Sequence, residues 1–71
     1  MPLVIAPLNV ELTIIKILAN EVVKKHLSNL GIIIDSKITI LSSNGGNLIV
    51  KVHDGRITLD RDLATKIVVK N

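Results

Sequence analysis

The chain contains no cysteine and no Phe, Trp or Tyr. Without thiols there can be no disulfide scaffold, no cysteine-ligated zinc ribbon and no thiol nucleophile. Without aromatic rings, a reader of single-stranded nucleic acid loses its stacking platform, and a groove for proline-rich peptides loses its lining. Long hydrophobic runs are missing as well. No run of Ile, Leu and Val exceeds three residues, as at Ile32–Ile34, whereas a membrane-spanning helix needs roughly 18 or more apolar residues. The apolar stretch Met1–Leu8 is interrupted by Pro2 and Pro7 and has no basic start. It therefore does not fit an export signal, and a cytoplasmic location is expected. Neither sign of charge dominates. Nine Lys/Arg against six Asp/Glu give a formal +3, a balance that ordinary solubility explains.

Aliphatic side chains fill the space these absences leave. Twelve Ile, ten Leu and eight Val make up 30 of the 71 residues, too much branched hydrocarbon for a disordered chain. Ile and Val carry two heavy atoms on Cβ, which stiffens χ1 and favours strands over helices. A chain this short hides only about 60% of its unfolded surface. A small sheet curled on itself suits that limit, with residues 1–71 forming one domain.

Local signals supply the order of elements. Pro7-Leu8-Asn9 reads as a turn, with Asn9 able to take a left-handed conformation. Glu11–Leu18 is strand-like, but its alternation slips at Ile14-Ile15, where a bulge would let both isoleucines face inward. Asn20–Leu30 is the helix candidate. Asn20 serves as N-cap, Glu21 suits the first turn, and Val23, Leu27 and Leu30 form one stripe at i, i+4 and i+7. Gly31 then ends the helix in a left-handed conformation, with Ile32 folding back on Leu27. Asp35-Ser36 is a turn. Lys37–Ser42 alternates with Ile38 and Ile40 inward, Ser43-Asn44-Gly45-Gly46 is a hairpin tip, and Leu48, Val50 and Val52 face inward on the next strand. Asp54-Gly55 predicts a two-residue hairpin turn. Arg56–Leu59 returns, Asp60–Ala64 makes a helical turn and Lys66–Lys70 closes the sheet. The expected fold is mainly β: a small SH3-like barrel of about five strands with one α-helix inserted after the first.

The spacing Leu27-x-x-Leu30-Gly31-Ile32, Ile38-x-Ile40, Val50-x-Val52-x-x-Gly55, Ile57-x-Leu59 and Ala64-x-x-Ile67-x-Val69 resembles the FeoA family. These are small cytosolic proteins associated with bacterial ferrous iron transport, and the same SH3-like module ends some iron-dependent repressors. The likeness runs from about Leu3 to Val69. The chain departs from the family pattern in three places. Asn9 and Ser36 stand where glycines are usual, and Leu63 replaces the glutamate of a Leu-Arg-x-x-Glu-Ala motif. The resemblance implies a non-enzymatic accessory or regulatory protein whose partner is FeoB, a membrane transporter with a cytosolic GTP-binding domain.

The residues themselves offer little reaction chemistry. A ferrous site favours converging imidazoles and a carboxylate, yet His26 lacks a second ligand at i+4 and His53 sits at a hairpin tip beside an Asp that the turn already explains. No metal site and no cofactor are expected. Neither a Gly-x-Ser-x-Gly elbow nor a Walker loop occurs, and Ser42–Gly46 joins two strands rather than opening a helix. No enzyme activity is expected. Lys24 and Lys25 on the helix, with Lys37, Lys51 and Arg56 on outward strand positions, suit a docking surface for an acidic protein partner, where charge sets orientation and encounter rate. The candidate contact residues are Lys24, Lys25 and Ser28 with the tips Gly45, Gly46, Asp54 and Gly55. The competing expectation is a small-barrel nucleic-acid-binding module, disfavoured by the interspersed Glu21, Asp35, Asp54, Asp60 and Asp62.

Overall fold

The computed structural model describes residues 1–53 and 55–71. Five strands, β1 (Glu11–Ile17), β2 (Lys37–Asn44), β3 (Asn47–Val52), β4 (Gly55–Leu59) and β5 (Ile67–Lys70), form one antiparallel sheet in the order β4-β3-β2-β1-β5. Helix α1 (Glu21–Asn29) follows β1, and a shorter helix α2 (Arg61–Lys66) joins β4 to β5. The expected SH3-like arrangement is present, with α1 inserted after the first strand.

Curling comes from strands that serve two neighbours. Glu11–Thr13 pair with β2, while Thr13–Ile17 pair with β5 across a register shift between Ile14 and Lys16. Likewise β2 pairs with β1 through Lys37–Thr39 and then with β3, shifting register between Ile40 and Ser42. Such bulges bend a strand and increase its twist, which lets a narrow sheet wrap its own core. The expected bulge in β1 is there, but it does not turn both isoleucines inward. Ile14 is fully buried, whereas Ile15 is 40% exposed. The extra residue is spent outside, on Ile15 and Lys16, so that Leu12, Ile14 and Ile17 all reach the core.

That core is aliphatic throughout. Leu12 and Ile14 from β1, Ile38 and Ile40 from β2, Leu48 and Val50 from β3, Leu59 from β4, and Ile67 and Val69 from β5 are buried, and Leu27, Ile32 and Ala64 close its ends. Among the described residues no polar or charged side chain is buried. Each fully buried aliphatic contributes about 1.5–3 kcal/mol relative to exposure, which is how so few residues offset their ordering entropy.

The stretch Met1–Leu8 contributes more than its composition suggests. Leu3–Ile5 forms a 3₁₀ turn, with Leu3 fully buried. Pro2 bridges Val68, and the Val69 N–H donates to the Met1 carbonyl at 2.7 Å. The start of the chain thus ties off the outer edge of β5.

Both hairpin turns depart from what their sequences suggest. β2 runs to Asn44, and Asn44 pairs with Asn47, leaving a two-residue turn in which Gly45 (φ 63) and Gly46 (φ 88) are both left-handed. That is the conformation a type I′ turn requires. In the next hairpin Gly55 is a strand residue paired with Val52. Gly55 is therefore not a turn residue as the Asp54-Gly55 pair predicts, Asp54 lies outside the described residues, and His53 takes a positive φ of 56.

Candidate functional site

Helix α1 follows its local signals closely. The Asn20 side chain accepts a hydrogen bond from the Val23 N–H at 2.9 Å, satisfying one of the four free donors at the helix start. At the other end Gly31 is left-handed (φ 90). Its N–H donates to Ser28 O and that of Ile32 to Leu27 O, both at 2.9 Å. Ile32 and Leu27 are both fully buried, as a Schellman cap with its hydrophobic contact predicts. The expected stripe is only partly buried: Val23 is half-buried and Leu30 is 38% exposed. Capping ends the helix at Asn29, so Leu30 lies past the last full turn.

Of the candidate contact residues, Lys25 and Ser28 are exposed and Lys24 is half-buried. Lys24 lies 3.9 Å from Glu21 across one turn. Such an exposed pair adds little stability but holds the lysine near the helix surface. Gly55 is exposed at the start of β4, and Asp54 lies outside the described residues. Gly31 sits directly under the His53 side chain, which brings the end of α1 that carries Ser28 beside the β3–β4 hairpin.

Gly45 and Gly46 lie at the opposite end of β3. Asn47–Val52 separates the two hairpin turns by about 16 Å at 3.3 Å per residue. Gly46 is covered by the stem of Arg61, whose Cγ would lie 2.7 Å from a side chain added there. The Arg61 N–H also donates to the Asn47 side chain at 3.1 Å. Gly45 has open space around it. The candidates thus form two separate groups, one around α1 and the β3–β4 turn and the other at the β2–β3 tip beside α2.

A further feature escapes any local pattern. Glu11, Asp35, Ser36, Lys37, Thr39, Lys51 and His53 line an open groove of about 460 Å³ on the outer face of the sheet. Register creates it. Glu11 pairs with Thr39, Thr39 with Lys51, and Lys51 with Arg56, which places four outward side chains in one row across β1 to β4. Thr13 and Lys37 form the next row, where the Lys37 ammonium donates to the Thr13 hydroxyl at 2.7 Å. Asp35, left-handed at φ 75, occupies the third position of a turn closed by Ser36 N–H to Ile33 O at 3.1 Å. The positive φ therefore falls on Asp35, which tolerates it, and not on Ser36. Although one imidazole and two carboxylates line the groove, no three His, Asp or Glu side chains among the described residues are close enough together to hold a metal ion. No described helix is long and apolar enough to cross a membrane. The groove and α1 present charges and hydroxyls on rigid backbone, an arrangement suited to recognition.

The chain matches the model of the FeoA domain over residues 1–71. No curated protein matches it. Among solved structures it is similar to the crystal structure of an iron uptake regulatory protein (FeoA), with 21% identity and a TM-score of 0.90 over 99% of this chain and 95% of that one. It is also similar to iron(II) transport protein A from Clostridium thermocellum, with 22% identity and a TM-score of 0.90, covering 99% of this chain and 44% of that one. A third is FeoA of Stenotrophomonas maltophilia complexed with zinc, with 24% identity and a TM-score of 0.83 over 99% and 89% of the two chains. That protein is described as a procaryotic SH3 domain protein and a candidate ferrous iron transport activating factor.

Proposed function

Starting from a chain that belongs to the FeoA family, a family linked to ferrous iron transport, we propose that this protein is a non-enzymatic accessory or regulatory component of that transport. Residues 1–71 act as one preformed domain in the cytoplasm and dock on the cytosolic part of a FeoB-type transporter. Docking biases the transporter's states by binding one of them more tightly than another, since a ligand shifts an equilibrium only by its differential affinity.

The observation that supports this reading is the division of labour in the fold. The buried interior is purely aliphatic, and the ionisable groups of the described residues lie outside it. Such a body can bind without large rearrangement, so the cost of association is kept low. The name given to the Stenotrophomonas relative points the same way.

The test is direct binding of the purified chain to a FeoB-type transporter in detergent, with its isolated GTP-binding domain as a second probe. Saturable binding that changes the GTP hydrolysis rate supports the reading, and no binding to either overturns it. Salt dependence guards against the nucleic-acid alternative. Affinity for a phosphate backbone would fall by orders of magnitude between about 50 and 200 mM salt.

A further inference from the structure

The two edges of the sheet are treated differently. The β5 edge is covered by the chain's own start, through the Pro2–Val68 bridge and the hydrogen bond from Val69 to Met1. The β4 edge is not covered. Among the described residues, the backbone of Gly55–Leu59 pairs only with β3. In an antiparallel ladder, alternate residues of an edge strand turn their N–H and C=O groups outward, and an open row of this kind is a template for another strand.

The side chains at this edge carry a second signal. Lys51 and Arg56 face each other directly across β3 and β4 on the outer face of the sheet, and both are exposed. Like charges placed directly opposite each other are unfavourable. Among the described residues neither is in an ion pair, and the acid in their row, Glu11, is separated from Lys51 by Thr39. At two strand spacings, Glu11 is about 10 Å from Lys51. On the other face, Ile57 is only half-buried although it packs on the core. The open edge therefore offers free backbone groups, two adjacent cations on one face and an incompletely covered isoleucine on the other.

We propose that β4 is a docking edge for an extended acidic segment of a protein partner, which adds as a sixth strand. Its backbone pairs with Gly55–Leu59, its outward carboxylates meet Arg56 and Lys51, and its inward apolar residues cover Ile57. Strand addition draws affinity from the main chain and selectivity from alternate side chains. The edge extends the docking reading above and rests on it only in assuming a protein partner. Because the test uses peptides and no transporter, a failure here leaves that reading intact.

The experiment is a titration of the isotope-labelled chain with a short end-capped peptide of alternating Glu and Val, followed through backbone amide resonances and hydrogen exchange. Two further peptides accompany it: one with Lys in place of Glu, and one with alternate backbone nitrogens methylated. Saturable shifts centred on Gly55–Leu59, with slowed exchange at alternate β4 amides, support the proposal. The lysine peptide then binds about fivefold or more weakly, and Arg56→Glu, an exposed substitution that leaves the core untouched and takes the Lys51–Arg56 pair from two positive charges to none, abolishes that preference. Equal binding of both charge types overturns the acidic preference, and undiminished binding of the methylated peptide overturns strand addition. Shifts confined to α1 place the peptide elsewhere and overturn both. Concentration-dependent shifts of the β4 amides without peptide assign the edge to a second copy of the chain and overturn the proposal.

Discussion

The His53 imidazole occupies the space that a side chain at Gly31 would need. A Cβ built on Gly31 would lie 2.8 Å from His53 Cδ2 and 3.2 Å from Nε2. This contact is where α1 meets the β3–β4 hairpin, and both residues are left-handed. Gly31→Ala is expected to destabilise the protein by about 2 kcal/mol, from the left-handed backbone penalty plus displacement of the imidazole. In a His53→Gly background the same substitution should cost less, about 1 kcal/mol from the backbone, with Val52 Cγ1 at 3.3 Å the one close neighbour left among those nearest the added Cβ. Urea unfolding of the two single variants and the double variant measures the coupling, and strict additivity would show that the contact carries no energy.

Capping outweighs ion pairing on α1. Asn20→Ala removes the acceptor for the Val23 N–H and should cost about 1 kcal/mol. Asp60→Ala does the same to the Leu63 N–H at the start of α2, with a similar loss of about 1 kcal/mol. Glu21→Gln, which removes the 3.9 Å contact with Lys24 and the acid in the first turn but leaves the cap hydrogen bond in place, should cost less than either. Thermal or urea melts rank the three, and a Glu21 effect as large as Asn20's would contradict this order.

The two glycines of the β2–β3 turn should respond in opposite directions. Gly45 has open space around it and stands at the first central position of a type I′ turn, where Asn is favoured. Gly45→Asn is therefore neutral or stabilising by a few tenths of a kcal/mol, because it restricts the unfolded chain. Gly46→Ala combines a left-handed φ of 88 with a 2.7 Å approach to Arg61 Cγ. It should cost about 1 kcal/mol, or somewhat more if the Arg61 stem must move. Equal effects at the two positions would mean that Arg61 does not rest on the turn in solution.

Where the fold was legible from the sequence, the signal was local. Asn20 before Glu21, Gly31 before Ile32, and the alternation through Ile38, Ile40, Leu48, Val50 and Val52 each report on a few neighbouring residues, and each is observed. The discrepancies arise where distant pairing decides. The direction of Ile15 depends on the register of β1 against β5. Gly55 joins β4 by pairing with Val52, which draws it out of the turn that the Asp-Gly pair predicts. Leu3 is buried because the first residues of the chain bridge the last strand. The outer groove could not be anticipated, because Glu11, Thr39 and Lys51 meet only through sheet register. The turn at Gly45-Gly46 follows its local preference, and the structure adds its place at the opposite end of β3 from the β3–β4 turn.

α1 is anchored more lightly than the barrel. Leu27 is its single fully buried side chain, whereas β2 buries both Ile38 and Ile40. Either Leu27→Ala or Ile38→Ala removes about 2–5 kcal/mol of packing, but the consequences should differ. With only a few kcal/mol of net stability available to a domain of this size, Ile38→Ala should unfold the whole sheet. Leu27→Ala should release the helix while the strands stay paired. Amide hydrogen exchange separates the two outcomes. In Leu27→Ala, protection is lost over Glu21–Asn29 and kept over β2 and β3. Uniform loss in both variants would mean that the helix and the barrel unfold as one unit.

Under the proposed docking on a transporter, two surfaces compete as the contact: the α1 face around Lys24, Lys25 and Ser28, and the β4 edge around Arg56. Charge reversal can separate them, because exposed substitutions mainly alter encounter and orientation. Lys24→Glu with Lys25→Glu should weaken binding about tenfold if α1 carries the contact. Some of any loss could come from the helix itself, since Lys24→Glu puts a second acid at i+3 from Glu21 and costs a few tenths of a kcal/mol. Lys25→Glu carries a similar penalty, because Lys25 is i+4 from Glu21, so Lys24→Gln with Lys25→Gln, which adds no acid beside Glu21, is the control. Lys66→Glu reports on a third face, on α2, where Lys66 pairs with Asp62 at 3.2 Å. If affinity survives at α1 but falls with Arg56→Glu, the contact belongs to the sheet edge. Equal losses at all three sites would reveal nothing more than a general attraction to the net +3 of the chain, and raising the salt should then erase them together.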